Sequence, residues 1–410
     1  MKILNFGSCN IDYVYSIDHI VKAGETETTH KMSVFPGGKG LNQSIAAARA
    51  GVKIYHAGCV GCDGDILTKI LAESGADISY IKRTPEKNGH AIIQVSKEGE
   101  NSIFLFPGSN EMITEDYIDN VLSGFGKGDI LLLQNEISNV DYIAEKAHKK
   151  GMCIMLNPSP FNEKISRIDF SALSYIILNE IEIEAVSGCD TPQEGLAYIK
   201  KKYPNLKVVL TLGSKGSIYS GGGIEIFQPS FKVETVDTTA AGDTFTGYFA
   251  AEMSRGTDCR DILRIASAAA AVAVSGEGAA TSIPCRDEVM TALESLSENV
   301  RGDKSEEQLG CIGSYIGNNL KSANIEELAK LLGYSAVYTG TLVKNLTGQT
   351  FSKTVQTKRC AAAAYKLLNT DMSVHEIAES VGYENKSFFR KVFKEKYGKN
   401  PLEFRKENIK

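Results

Sequence analysis

The sequence has no apolar run long enough to cross a bilayer. Its most apolar stretch, Ala266 to Ser275, is about half the length a span needs and is rich in alanine. No secretion is expected either, because MKILNFGSCNID passes directly into a strand-like segment with no basic region and no small-residue cleavage site. Nothing suggests a disulfide framework: nine cysteines, an odd number, lie scattered between Cys9 and Cys360, as expected of reduced thiols. Histidine is scarce, with six dispersed residues and none at metal-ligand or nucleophile spacing. The single CxxC, Cys59 to Cys62, has no second CxxC or His pair to complete a zinc site. These absences exclude membrane, disulfide-scaffold and zinc-enzyme readings and point to a cytoplasmic protein with no membrane partner. A GxxxxGK[ST] loop is also lacking, so any use of ATP must hold the phosphates by another device.

What is present is an ordinary globular composition, 42% hydrophobic and 23% charged over 410 residues, enough chain for two or three domains at about 150 residues each. Charge is uneven. Residues 305–410 hold 16 Lys+Arg against 11 Asp+Glu, whereas the preceding 304 residues hold 29 against 39. The positive excess sits in residues 384–410, where nine basic side chains face four acidic ones, and suggests a polyanion partner. The polar run SENVRGDKSEEQLG marks a linker at 297–310, dividing a domain over 1–296 from one over 311–410. Upstream, short apolar runs at 129–133, 153–156, 175–178 and 207–212 alternate with helical patterns, which predicts a parallel sheet covered by helices. Between Tyr13 and Pro36, and from His90 to Pro107, the pattern is richer in strands and predicts a small β layer, a candidate lid.

Two glycine-containing turns each enter a helix. In DTTAAGDTF, residues 237–245, the small residues Ala240, Ala241 and Gly242 let an anion approach the backbone, and free amides at the helix start would stabilise charge on a transferring phosphoryl group. Asp243 is then placed to take the proton of an attacking hydroxyl or, alternatively, to cap the helix. In GGKGLNQSIAAARAG, residues 37–51, Lys39 and Asn42 can hydrogen-bond the hydroxyls of a polyol, as can Asn10 and Asp12 after the first strand.

Taken in order, N-x-D at 10–12, GGKGLNQ at 37–43, QNE at 134–136, NEIE at 179–182, TLGSKG at 211–216, DTTAAGD at 237–243 and GEGAATSIP at 276–284 resemble the ribokinase branch of the PfkB carbohydrate kinases across residues 1–296. The resemblance implies an α/β fold, a three-layer sheet with a small β lid that forms a homodimer. It implies that Asn10, Asp12, Gly38, Lys39, Asn42 and Glu136 line a sugar pocket and that Asp243 is the catalytic base, with Ala241 and Gly242 forming an anion hole. Asn179, Thr211, Gly213, Gly216 and Gly242 would hold ATP, and Glu182 would orient the water around Mg²⁺. A monovalent cation, K⁺, would sit at Asp237, Thr239, Ala273, Gly276, Gly278 and Ser282. The implied reaction is ATP-dependent phosphorylation of a primary hydroxyl, with D-ribose the expected pentose and a deoxyribose or nucleoside the alternative. PGSNEMI, residues 107–113, departs from the family in carrying Ser109 and Glu111 where alanines are more usual.

Beyond the linker an internal repeat emerges: IEELAKLLGY at 325–334 recurs as VHEIAESVGY at 374–383. Each copy places apolar residues on one helix face, a small Ala at the crossing and a Gly at the turn, the logic of a helix-turn-helix unit; the paired glycines are Gly333 and Gly382. Residues 309–407 resemble the double helix-turn-helix domain of the AraC family, an all-α DNA-binding unit. The second copy is expected to bury Phe389, Val392 and Phe393 and to present Lys386, Ser387, Arg390, Lys391 and Lys394 to double-stranded DNA. In the first copy Thr341 stands where arginine is usual, and Gly340 weakens the reading helix. An active kinase that also binds DNA is therefore the leading expectation, and a regulator whose kinase domain only senses sugar is the alternative.

Overall fold

The four apolar runs form parallel strands at Ile130–Gln134, Cys153–Asn157, Tyr175–Asn179 and Lys207–Thr211, within one residue of the ranges their pattern predicts. Both faces of these strands are covered, which is why they read as continuous apolar runs rather than alternating ones. Ile130 and Leu132 pack with Ile3, Met155, Ile177 and Val209 in one helical layer. Leu131 and Leu133 pack with Leu4, Phe6, Leu156, Leu178 and Leu210 in the other. Among the described residues the sheet has nine strands in the order Ile224–Gln228, Ser217–Gly221, Lys207–Thr211, Tyr175–Asn179, Cys153–Asn157, Ile130–Gln134, Ile3–Phe6, Ile54–Val60, Asp77–Arg83. All run the same way except Ser217–Gly221, which pairs antiparallel with both of its neighbours.

A second sheet of four strands, ordered Lys31–Gly37, Asn10–Ser16, Gly89–Val95, Asn101–Phe106, stands off the first and forms the expected lid. Its root converges on Asn10, which pairs with both Gly37 and Gly89. Glycine is required there: a Cβ at residue 37 would lie 2.0 Å from Asp12 Oδ2, and Gly38 has a φ of +95° as the chain turns into helix Lys39–Arg49.

The computed structural model describes residues 1–276, 278–297, 304–332, 334–370 and 372–408. They fall into two units, Met1–Val300 and Arg301–Lys410. Of the expected linker, residues 298–303 lie outside the described residues, and Lys304 already opens a helix that runs to Asn318. That helix forms because Ile312, Tyr315 and Ile316 recur at helical spacing and are buried in the second unit. The repeat then folds as two helix pairs, Ile325–Leu332 with Ala336–Thr347 and Val374–Ser380 with Lys386–Tyr397, joined by helix Phe351–Asn369. Gly382 turns at φ +90°, whereas its counterpart Gly333 lies outside the described residues. Among the described residues no helix is long and apolar enough to cross a membrane.

Candidate active site and candidate nucleic-acid interface

Helix Ala241–Ser254 begins at Ala240, a non-glycine residue held at φ +63°, and no side chain caps it. Asp243 is therefore not the cap. Its carboxylate instead takes two amide hydrogen bonds from helix Lys39–Arg49: Asn42 Nδ2 donates to Oδ2 and Gln43 Nε2 to Oδ1, both at 3.1 Å. The backbone N–H groups of Gly242 and Asp243 have no protein acceptor among the described residues, and a Cβ at Gly242 would meet nothing within 4 Å. Free amides facing open space at a helix start are what an anion needs.

Gly247 brings the two helices close enough for those contacts, since a Cβ there would lie 2.5 Å from Ala46 Cβ and 2.6 Å from the Gln43 carbonyl. Gly247→Ala is expected to cost about 1–3 kcal/mol in urea unfolding by overpacking the crossing. It should also lower turnover, because separating the helices draws Asp243 away from Asn42 and Gln43. Unchanged stability would contradict this view of the crossing.

The other carboxylates gather beside Asp243. Burial, then the neighbouring charges of Glu136 and Asp243, push the Asp12 carboxyl up to about 7. Burial also raises Glu136, against the opposing pull of Lys39 and of Ser8, whose hydroxyl donates to Oε2 at 2.5 Å. The Lys39 backbone N–H donates to the same oxygen at 3.0 Å. Burial alone would lower the Lys39 ammonium, but Asp243, Glu136 and Glu182 outweigh it and hold it above its ordinary value. Asn10 is buried at the lid root, where its Oδ1 accepts from Asn110 Nδ2 at 2.7 Å, and Gly38 lies against its backbone. Asn42 Oδ1 is buried without a partner, an acceptor lacking a donor. Asn10, Asp12, Gly38, Lys39, Asn42, Glu136 and Asp243 are thus brought together.

On the other side of Asp243 lies a cleft of about 210 Å³ lined by Lys39, Asn179, Glu182, Thr211, Ala241, Gly242 and Asp243, together with Asn157 and Thr246. Asn179 and Glu182 form a reciprocal cap on helix Glu180–Ser187: Asn179 Oδ1 accepts from the Glu182 N–H at 2.8 Å, and Glu182 Oε2 accepts from the Asn179 N–H at 3.0 Å. Gly213 and Gly216 are not among the lining residues. They shape the turn after strand Lys207–Thr211, Gly216 at φ +118° where a Cβ would lie 2.1 Å from the Gln228 carbonyl.

Of the six candidate cation residues, Asp237, Thr239, Gly276 and Gly278 lie in two loops, and Ala273 and Ser282 are the last residues of helices Cys259–Ala273 and Ala279–Ser282. The Asp237 carboxylate accepts from the N–H of Thr239 at 2.8 Å and of Gly278 at 3.1 Å, and the N–H of Asp237 donates to the Val274 carbonyl at 3.2 Å. Gly276 donates to the Ala273 carbonyl at 3.2 Å and abuts Ser282. Glu277, between the two glycines of the motif, lies outside the described residues.

A family model described as pfkB family carbohydrate kinase matches residues 1–286. The chain belongs to that family. This PfkB carbohydrate kinase is 39% identical over 298 residues to the ribokinase of Bacillus subtilis, across 71% of this chain and 99% of the relative. The solved ribokinase of Thermotoga maritima matches it with a TM-score of 0.64 at 35% identity, covering 72% of this chain and 99% of that one. The ribokinase of Arabidopsis thaliana, solved in complex with ribose and ATP, matches with the same TM-score of 0.64 at 29% identity, covering 71% and 98%. A second model, a helix-turn-helix domain, matches residues 328–407, so the PfkB kinase is fused to an AraC-type helical unit.

In that unit the second reading helix, Lys386–Tyr397, buries Phe389, Val392 and Phe393 and exposes Lys386, Ser387, Arg390, Lys391 and Lys394. Asn385 caps it, accepting from the N–H groups of Ser387 and Phe388 at 3.0 Å each. The first reading helix, Ala336–Thr347, exposes Val337, Tyr338, Thr341 and Lys344, a far less basic face.

Ser109 and Glu111, the two departures from the family pattern, make their side-chain contacts away from the candidate pocket residues. Ser109 donates to the Cys59 carbonyl at 3.1 Å, and Glu111 pairs with Lys164 at 2.6 Å. Asn110 between them is the residue that reaches Asn10. Sequence reasoning missed Asn110, Gln43 and Gly247. Only Gly247 left a signal of its own, a glycine inside an apolar helical run.

Proposed function

We propose that this PfkB kinase transfers the γ-phosphoryl group of ATP to the primary hydroxyl of D-ribose, giving ribose 5-phosphate, and that its helix-turn-helix unit binds double-stranded DNA. The observation that carries the kinase reading is the pairing at one helix start of a carboxylate outside any cap with two amides that lack protein acceptors. Asp12 and Asn10 accept and donate to sugar hydroxyls, Lys39 and Glu136 flank them, and the orphan Asn42 Oδ1 awaits a hydroxyl donor. Asp243 takes the proton of the attacking hydroxyl while the amides of Gly242 and Asp243, with Ala241 beside them, stabilise charge on the phosphoryl oxygens. The nucleotide occupies the cleft along Asn179, Thr211 and Gly242, with Gly213 and Gly216 setting the turn beside it.

Among the described residues no three His, Cys, Asp or Glu side chains cluster as a metal cage. That suits Mg²⁺, which keeps waters and binds through phosphates and one or two carboxylates. Glu182 fits such a role, since the cap uses only one of its oxygens. Mg²⁺ would supply charge neutralisation between phosphates. The Asp237 loop pair, one carboxylate fixed by backbone amides amid Thr239, Ala273, Gly276, Gly278 and Ser282, has the oxygen-donor character that K⁺ takes. The ion would stiffen the loop that ends at the anion hole. A homodimer through the lid is supported by the exposed apolar residues Met32, Val34, Ile103, Phe104, Leu105 and Phe106.

The raised carboxyl of Asp12 sets an expected pH dependence. Only the ionised form accepts two hydroxyl hydrogen bonds, so sugar must displace a proton below pH 7. KM for ribose is expected to rise by about tenfold per pH unit below about 6 and to level off above about 8, since one ionisation governs binding. In the sugar-free protein the sign is that of a raised acid: stability contributed by protonated Asp12 is lost as pH rises through 7. Initial rates from pH 5 to 9 would check this, and a flat KM would contradict the role of Asp12. The kinase reading itself is tested by an ATP-coupled assay across ribose, deoxyribose, fructose and nucleosides, with ribose expected to give the highest kcat/KM.

A further inference from the structure

We propose that Gln43 is a positioning residue for the Asp243 carboxylate, and that a relay of buried amides ending at one backbone carbonyl holds its NH₂ toward Asp243. The proposal rests on Asp243 being the base. A primary amide presents either its NH₂ or its oxygen to a neighbour, and only its hydrogen-bond network decides between them. Here the network decides. The Gly40 carbonyl can only accept, so Asn5 turns its Nδ2 toward it at 2.7 Å. Asn5 Oδ1 must then accept, and Gln134 Nε2 donates to it at 2.9 Å. The same Nε2 donates to Gln43 Oε1 at 2.7 Å, which leaves Gln43 Nε2 to donate to Asp243 Oδ1.

Every side chain in this relay, Asn5, Gln134 and Gln43, is fully buried, so no water can substitute for a missing partner without opening the core. Asn5 is held further by Ser44, whose hydroxyl it meets at 2.8 Å and which in turn bonds the buried, neutral His56 at 2.8 Å. Gln43 is not itself among the cleft-lining residues, and its amide anchors Oδ1 of Asp243, which is. Oδ2, shared with Asn42, is thereby left as the oxygen that meets the sugar hydroxyl. A displacement of about 1 Å in such a group can cost on the order of 100-fold in rate.

The test is steady-state kinetics of the full chain carrying Gln43→Met, which keeps side-chain length and removes the donor. We expect kcat to fall by about 10- to 100-fold while KM for ribose and for ATP stays within about threefold, because the lost group holds the base and not the substrates. Gln134→Met, which removes the donor that holds Gln43 Oε1, should lower kcat in the same direction by less, and it serves as the test if Gln43→Met does not fold. Adding Gln43→Met to Asp243→Asn should lower kcat no further, since the group being positioned is already gone. An unchanged kcat in both Met variants, alongside an inactive Asp243→Asn, would overturn the positioning role and leave the base intact. An active Asp243→Asn would instead overturn the base.

Discussion

Asp243→Asn is expected to lower kcat by about 10³-fold or more while sugar and ATP still bind with dissociation constants within about threefold of the parent protein. In the proposed reaction this carboxylate takes the proton of the attacking hydroxyl, and it sits at the helix start beside the free amides of Gly242 and Asp243. Its replacement is nearly isosteric, so the packing of helix Ala241–Ser254 on helix Lys39–Arg49 persists. One consequence is local: an amide at 243 must turn its NH₂ toward the donor of either Asn42 or Gln43, which weakens one of the two present contacts. That loss is small beside the loss of the base. Calorimetric titration with ribose and with ATP, followed by turnover, separates the two effects. Turnover within about tenfold of the parent would remove Asp243 from the proton transfer.

The second large effect concerns DNA. Replacing Lys386, Arg390 and Lys391 by alanine is expected to reduce the slope of log affinity against log salt by about 2.7, at roughly 0.9 per phosphate contact. Affinity for the chain's own upstream region should fall by about 10²- to 10³-fold at low salt, for the same reason. These side chains stand exposed on one helix whose opposite face is packed by Phe389, Val392 and Phe393, so their removal leaves the core untouched. Arg390→Lys keeps the charge and should keep the slope, yet relax sequence preference if Arg390 grips a guanine edge through two hydrogen bonds. A triple variant with an unchanged salt slope would place the DNA contacts elsewhere, for which the exposed Val337, Tyr338 and Thr341 of the first reading helix are a poor substitute in charge.

The layered sheet was legible because its strands are buried on both sides, so each reads as an unbroken apolar run bounded by turns. The repeat of the second unit was legible for a similar reason: Leu328 and Ile377, Ala329 and Ala378 recur with the same spacing and are all buried. What stayed hidden was tertiary. Gln43 lies inside the GGKGLNQ motif, but nothing local says that its amide meets a carboxylate 200 residues away. The polar run at 297–310 read as a linker because Val300 and Leu309 are its only apolar side chains, yet its later part opens a helix whose buried face, Ile312, Tyr315 and Ile316, begins only beyond it. Asp243 could be read as a cap from the sequence because it stands at a helix start, and the structure gives the cap position to Ala240.

The most direct test of the account is phosphorus NMR of the full chain incubated with ATP, Mg²⁺, K⁺ and D-ribose. The expected result is a new phosphomonoester resonance split into a triplet by two methylene protons, growing in step with ADP, as transfer to the primary hydroxyl requires. Inorganic phosphate as the sole product, or a phosphomonoester coupled to a single proton, would contradict it.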